Sequence, residues 1–179
     1  MTKILITEFI DSQSLQNINK KFDVIYKKDA WQNKNFLERE IQKFDGIIVR
    51  NKTSLDEKIL INASNLKFIG RLGVGLDNID TEYCKKNNII VQPATGMNSD
   101  SVAEYVVNSS LTLLKKTHII KEQTLQGKWP RTSIVTKELK GKTLGLIGFG
   151  DISKKVLNLV NVFDVSCICL LYTSPSPRD

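Results

Sequence analysis

The chain has 179 residues and a formal net charge of +7, with 41% hydrophobic and 25% charged residues. These values are typical of a globular protein of one or two domains. The positive charge comes mainly from scattered lysines, which argues against nucleic-acid binding and favours a small anionic substrate. The three cysteines lack metal-ligand spacing, and no apolar run approaches the roughly 18 residues of a membrane span. We therefore expect a cytoplasmic protein without a membrane partner.

Strand-like and helix-like segments alternate along the first half of the chain. Five short apolar segments predict strands at 3–7, 23–26, 46–50, 66–70 and 89–91. Segments of helical periodicity lie between them, at 14–18, 36–44 and 55–61. Strands that alternate with helices favour a parallel sheet, so the predicted fold class is α/β.

A glycine-containing loop, residues 70–80, leaves the carboxyl end of the fourth predicted strand. Ligands of open α/β sheets bind at such strand ends. Gly73 and Gly75 would let the amides of Val74 and Gly75 converge on a carboxylate without obstruction by side chains. The same spacing also fits a purely structural turn. Asp80 is expected to cap the short helix that follows.

A long helix is predicted after this half of the chain, with apolar positions continuing to Ile120, and it is expected to connect two domains. Three residues could form its N-cap: Ser99, Asp100 and Ser101. His118, the only histidine, lies near its end among lysines and is interpreted as a surface or packing residue rather than a catalytic one. Cys84, with no histidine nearby in sequence, is interpreted as structural.

A second glycine-containing turn follows the apolar strand predicted at 143–147. Gly148 and Gly150 permit a tight turn, and the next residues have helical periodicity. The first free N–H groups of that helix would face an anion such as a pyrophosphate. The third small position of this dinucleotide pattern holds Ser153 rather than glycine or alanine. A tight strand-to-helix turn without a ligand is the alternative interpretation.

Together these motifs resemble the D-isomer-specific 2-hydroxyacid dehydrogenases, and most closely their D-3-phosphoglycerate dehydrogenase branch. The resemblance covers residues 3–168 and is carried by segments in the same order as in the family: 48–51, 71–80, 98–104 and 141–152. Their joint occurrence is far more specific than any one motif. The chain departs from the family at Ser153 and Asp164, where glycine is common, and Asp164 should only reshape a turn.

The resemblance implies a flavodoxin-like substrate-binding domain over residues 1–98. An interdomain helix and the start of a Rossmann dinucleotide-binding domain would occupy 99–168. Residues 169–179 resemble the translation of a sequencing adapter, so we expect them to be non-native. A genuine Ser/Pro-rich terminus is the alternative.

The resemblance also implies the residues of two anion sites. The backbone of Val74 and Gly75 would bind the substrate carboxylate, with Asn98 nearby, and Arg50 and Arg71 would contact a phosphate group. Guanidinium groups suit a dianionic phosphate, although two surface arginines in ion pairs are the alternative. The cofactor is predicted to be NAD, bound by the turn residues Gly148, Phe149, Gly150, Asp151, Ile152 and Ser153.

The family's reaction is hydride transfer between C2 of a 2-hydroxy acid and a nicotinamide. The substrate predicted here is 3-phosphoglycerate, which would place the parent protein in serine biosynthesis as a homo-oligomer. The family's catalytic histidine, glutamate and arginine would lie beyond residue 168, so we expect this chain alone to be inactive. The alternatives are a glyoxylate or hydroxypyruvate reductase of the same family and a nucleotide-sensing, corepressor-like binding module.

Overall fold

Two parallel sheets, one in each of two units, organise residues 1–171, the part of the chain that the computed structural model describes. The first unit is Met1–Thr95, and the second begins at Gly96. Helices lie between successive strands in both units. The predicted α/β class is therefore confirmed.

The first unit contains a five-stranded sheet with the order β2-β1-β3-β4-β5, in which all neighbouring strands are parallel. This is the strand order of flavodoxin-like folds. No strand end differs from the predicted one by more than two residues. The strands are β1 (Lys3–Ile6), β2 (Asp23–Tyr26), β3 (Gly46–Val49), β4 (Phe68–Arg71) and β5 (Ile90–Pro93).

Four helices of the first unit begin at a side-chain cap. They are α1 (Ser12–Asn19), α2 (Lys34–Glu40), α3 (Glu57–Leu60) and α4 (Thr81–Lys86). Their caps accept a backbone N–H and are Asp11, Asn33, Asp56 and Asp80, which confirms the cap predicted at Asp80. The helix predicted to reach Phe44 ends earlier, because α2 tightens into a 3-10 turn at Ile41–Lys43.

Apolar residues cover both faces of the first sheet, because successive side chains of a strand point to opposite sides. On one face, buried strand residues pack against α2, α3 and α4, and these are Leu5, Ile47, Val49 and Ile69. On the other face, Ile4, Ile6 and Ile48 pack against α1. This core fixes the carboxyl ends of β1, β3 and β4, where polar side chains gather.

The second unit has a two-stranded parallel sheet with helices on one side. Its elements are α5 (Ser99–Lys115), α6 (Thr117–Leu125), β6 (Thr143–Ile147), α7 (Asp151–Val160) and β7 (Ser166–Leu170). Val156 and Val160 of α7 are buried together with Ala103 of α5. The opposite face of the sheet exposes Ile147, Ile168 and Leu170.

The structure corrects the predicted long helix in two places. First, α5 begins at Ser99, so Ser99, Asp100 and Ser101 lie in its first turn and the N-cap is Asn98, which makes no side-chain cap bond. Second, the helix breaks at Lys116, whose φ of 52° and ψ of 35° are left-handed. A left-handed residue interrupts the helical hydrogen-bond ladder, so Ile120 belongs to the separate helix α6.

At the end of the described chain, β7 includes Cys169 and Leu170, the first two residues of the segment expected to be non-native. Residues 172–179, which make up most of the segment expected to be adapter-derived, lie outside the described residues. Asp164 adopts a left-handed φ of 52° in the turn before β7, a conformation that glycine adopts without strain. In the described part of the chain, no helix has both the length and the apolar character that crossing a membrane requires.

Candidate functional site

Two arginines predicted to bind a phosphate lie at the ends of neighbouring strands. Arg71 is the last residue of β4 and is in register with Val49, the last residue of β3. Arg50 follows Val49 directly, so both arginines stand at the carboxyl edge of the sheet. Arg50 is exposed, and its guanidinium carbon lies 6.0 Å from the centre of the Phe9 ring. The fold thus brings together the two cations that the sequence singled out.

The side chain of Arg71 folds back over the loop that follows β4. Its guanidinium occupies the space beside Gly73, where an added Cβ would overlap Nη1. The Nε atom is buried and has no hydrogen-bond partner among residues 1–171. A buried donor without a partner carries a desolvation cost that an anionic ligand would relieve. The position of Arg71 is therefore suited to binding an anion.

The loop carrying Val74 and Gly75 is anchored on both sides. Leu72 donates its N–H to the Val49 carbonyl at 2.8 Å, and the N–H of Ala94 lies 3.0 Å from the carbonyl oxygens of Arg71 and Gly73. Within residues 1–171, the amides of Val74 and Gly75 donate to no other group. Two adjacent amides on an anchored loop can receive a carboxylate oxygen.

Asn98, the remaining residue predicted at the substrate, belongs to the second unit. Its side chain is exposed and makes no cap bond, while its carbonyl accepts the N–H of Val102 at 3.0 Å. A contact between Asn98 and the substrate stays a prediction.

Glu8 is the residue at this edge that sequence reasoning missed. Glu8 is 4% exposed and lies two positions beyond β1. One carboxylate oxygen accepts the N–H groups of Arg50 at 2.8 Å and Thr53 at 2.9 Å, and the other accepts that of Lys52 at 3.1 Å. Burial alone would raise the pKa of Glu8, but the hydrogen bonds from Thr53, Arg50 and Lys52 outweigh it and lower the pKa. The carboxylate is therefore ionised at neutral pH.

Asn78 also holds residues 50–53, by donating hydrogen bonds to backbone carbonyls of that segment. Its side-chain amide donates to the carbonyl of Arg50 at 2.9 Å and to that of Thr53 at 2.6 Å. The hydroxyls of Thr7 and Thr53 are also hydrogen-bonded, at 2.7 Å. The segment that carries Arg50 is thus fixed by donors and by acceptors.

An acidic residue directly after a buried strand was the available sequence signal for Glu8.

The glycine-containing turn after β6 has the geometry of an anion-binding turn. Gly148 has a φ of 85°, which favours glycine, and donates its N–H to the Leu170 carbonyl at 2.8 Å. The Ser153 hydroxyl donates to the Gly148 carbonyl at 2.9 Å, so serine in the third small position closes the turn. The first helical bond runs from the N–H of Lys154 to the carbonyl of Gly150.

The amides of Asp151, Ile152 and Ser153 precede that bond and have no partner within their own helix. Gly150, the N-cap of α7, offers no side-chain cap, and no atom lies within 4 Å of a Cβ added there. Phe149 is also exposed at the turn. Open space in front of free amides at a helix N-terminus fits the pyrophosphate of a dinucleotide.

Charged groups flank this turn. Lys155 of α7 donates to Asp100 of α5 at 2.7 Å, and this hydrogen bond raises the pKa of Lys155. Asp151, in the first turn of α7, raises it further through its charge. The ammonium of Lys154 lies 6.0 Å from the centre of the Phe149 ring. The pair between Lys155 and Asp100 therefore links α7 to α5.

The two other reactive side chains singled out from the sequence are Cys84 and His118. Cys84 is 1% exposed, and burial, followed by the charge of Asp80, raises the pKa of its thiol to about 11. A protonated, buried thiol agrees with the structural role predicted for it. His118 is exposed on α6, also as predicted. No cluster within residues 1–171 has three histidine, cysteine or acidic side chains placed to hold a metal ion.

Comparison with known proteins gives the family of the chain. Residues 4–170 match the family described as D-isomer specific 2-hydroxyacid dehydrogenase, catalytic domain. The chain belongs to this family. The resemblance drawn from the sequence motifs is thereby confirmed, and the first unit and the glycine-containing turn of the second are parts of one 2-hydroxyacid dehydrogenase chain.

Several 2-hydroxyacid dehydrogenases are similar to most of this chain. The (S)-sulfolactate dehydrogenase of Chromohalobacter salexigens is 37% identical over 154 residues, which are 86% of this chain and 50% of that protein. The D-3-phosphoglycerate dehydrogenase of Archaeoglobus fulgidus is 31% identical over 93% of this chain and 31% of its own length. The chain thus spans half or less of the length of these relatives.

Among solved structures, the D-lactate dehydrogenase of Aquifex aeolicus, complexed with NAD and lactic acid, has a TM-score of 0.77 to this chain. It is 29% identical, over 93% of this chain and 50% of that one. The similarity extends across both units, which agrees with a 2-hydroxyacid dehydrogenase fold.

Proposed function

We propose that this chain is part of an NAD-dependent dehydrogenase whose substrate is a 2-hydroxy acid with a second anionic group. The proposed substrate is 3-phosphoglycerate, and the pathway is serine biosynthesis. The observation that carries the proposal is the edge formed by β3 and β4. There Arg50 and Arg71 follow neighbouring strands, and the loop after Arg71 carries the amides of Val74 and Gly75, which donate to no group among residues 1–171.

The two kinds of donor at this edge suit two different anionic groups. Adjacent amides of Val74 and Gly75 suit a planar carboxylate, whereas guanidinium groups suit a phosphate or sulfonate through paired N–H bonds. Sulfolactate and 3-phosphoglycerate, named in two relatives, are both 2-hydroxy acids with a second anionic group. This shared chemistry supports the proposal.

The turn after β6 supports NAD as the cofactor. When bound, the nicotinamide would accept the hydride that leaves C2 of the substrate. The chain's own contribution is to hold the pyrophosphate on the amides of Asp151 and Ile152, with Gly150 leaving room for its approach. The Ser153 bond to the Gly148 carbonyl keeps those amides in place.

Ligand binding by the isotope-labelled chain tests the substrate proposal. NMR titration with 3-phosphoglycerate should shift the amide signals of Val74 and Gly75, and Arg50→Gln or Arg71→Gln should weaken binding about tenfold or more, because each removes charge-assisted bonds. Arg39→Gln is the matched control, since Arg39 lies exposed on α2 and, among residues 1–171, its side chain donates only to the carbonyl of Asn35.

The same titration with glycerate distinguishes the competing substrate class. Glycerate lacks the phosphate, so the two arginine variants should bind it as the unmodified chain does. Equal affinity for glycerate and 3-phosphoglycerate would instead favour a glyoxylate or hydroxypyruvate reductase. Failure to bind either acid would contradict the substrate proposal.

A further inference from the structure

We propose that Glu8 and Asn78 are positioning residues that set Arg50 for the distal anionic group of the substrate. The inference rests on the proposed function, because it concerns the same substrate edge. Neither residue needs to touch the substrate. Both act on the backbone of residues 50–53, the segment from which the Arg50 side chain projects.

Glu8 holds the start of this segment in place. Its carboxylate accepts the N–H groups of Arg50, Lys52 and Thr53 over distances of 2.8 to 3.2 Å. Three amides that point at one carboxylate require the backbone to curl around it. Because Glu8 is buried near the end of β1, it holds this curved segment in a fixed position relative to the core of the sheet. The Cα of Arg50 is thereby fixed relative to β1 and β3.

Asn78 connects the same segment to the loop after β4. The side-chain amide of Asn78 donates to the carbonyls of Arg50 and Thr53, while its backbone carbonyl accepts the N–H of Leu55 at 2.8 Å. A bridge between Leu55 and Ile79 continues this connection. The loop that carries Val74 and Gly75 and the segment that carries Arg50 are therefore joined through one residue. A fixed separation between them would match the spacing of two anionic groups on one substrate.

The charge of Glu8 indicates a role beyond filling space. A carboxylate near an anion site opposes anion binding unless its own charge is satisfied. Here backbone amides satisfy it, and no ion pair among residues 1–171 involves Arg50. The Arg50 guanidinium lies instead near the Phe9 ring, so its N–H groups remain available to a ligand. Glu8 thus holds the arginine by its backbone and leaves the side chain free.

Two ligands that differ only in the phosphate test this role in the full 179-residue chain. In Asn78→Ala, we expect affinity for 3-phosphoglycerate to fall about fivefold to tenfold, because ordering of the Arg50 backbone is lost, while glycerate binding stays within about twofold. Glu8→Gln should show the same pattern. Matched controls are Asn62→Ala and Glu57→Gln, which make the same two substitutions at exposed positions.

Each outcome supports or overturns the proposal. Equal losses for both ligands would show a merely structural effect and overturn it, as would unchanged binding of 3-phosphoglycerate. If Glu8→Gln unfolds, Asn78→Ala remains decisive, because the backbone bridge between Leu55 and Ile79 does not depend on its side chain. If the unmodified chain binds neither acid, the proposed function fails and the inference with it. If the unmodified chain binds 3-phosphoglycerate but the variants change the binding of both ligands equally, only the inference about Glu8 and Asn78 fails.

Discussion

The guanidinium of Arg71 occupies the space that a side chain on Gly73 would need. Gly73 also donates its N–H to the Arg71 carbonyl at 2.8 Å, so the two residues form a tight turn at the end of β4. The glycine is thus required by a neighbouring side chain and not only by its own backbone. An arginine held this way lies over the loop that presents the amides of Val74 and Gly75.

Gly73→Ala should lower both stability and ligand affinity. Gly73 has a φ of 158°, a backbone conformation that residues with a side chain rarely adopt, so the substitution should destabilise the first unit by about 1 kcal/mol or more. The new methyl group would also displace the guanidinium of Arg71. Affinity for 3-phosphoglycerate should fall about tenfold, because Arg71 leaves its position. Urea denaturation and NMR titration measure the two effects. Loss of stability without loss of affinity would contradict the role given to Arg71.

Gly148 and Gly150 should respond differently to alanine, although both belong to the same turn. Gly148 has a φ of 85°, so Gly148→Ala should destabilise the second unit by about 1–2 kcal/mol. Gly150 has an extended backbone with open space around it, so Gly150→Ala should leave stability unchanged and weaken NAD binding, because the methyl group blocks the pyrophosphate. Thermal unfolding and NAD titration give the readouts. Gly145→Ala, also in open space but within β6, is the control and should change neither.

Glu8 should make the free energy of unfolding depend on pH below neutrality. Its pKa is lowered in the folded chain from an ordinary value of 4.5. The ionised carboxylate therefore stabilises the fold above about pH 4.5, and this contribution is lost as the pH falls through the lower, folded-state pKa. Glu8→Gln should be less stable than the unmodified chain at about pH 7, and the difference should shrink toward about pH 3. Chemical denaturation at several pH values measures this difference, and a constant gap would show that Glu8 is not the titrating group.

The sequence predicted those features that neighbouring residues define. The strand Thr143–Ile147, the turn at Gly148 and the cap at Asp80 each depend on a few consecutive residues, and all three are present. Glu8 was missed because its partner Arg50 is 42 positions away, and its one local signal, an acidic residue after a buried strand, does not indicate what the carboxylate binds. Asn78 was likewise seen only as part of a motif, since its bond to Arg50 spans 28 positions.

The break at Lys116 was missed for a different reason. Lysine has a good helix propensity, and the apolar periodicity continues from α5 into α6, so both local signals favour one long helix. Neither signal indicates the left-handed conformation that Lys116 adopts, with a φ of 52° and a ψ of 35°. A lysine in this conformation is strained, whereas glycine adopts it freely.

Lys116→Gly should therefore stabilise the second unit, by roughly 0.5–1 kcal/mol, since relief of the left-handed strain exceeds the added entropy of the unfolded chain. The matched variant is Lys121→Gly, which removes another lysine but lies exposed inside α6. It should destabilise by about 1 kcal/mol, because glycine is unfavourable in a helix interior. Thermal unfolding of both variants gives the comparison. Destabilisation by both would mean that residues 99–125 form one continuous helix in solution, and that the break between α5 and α6 is absent.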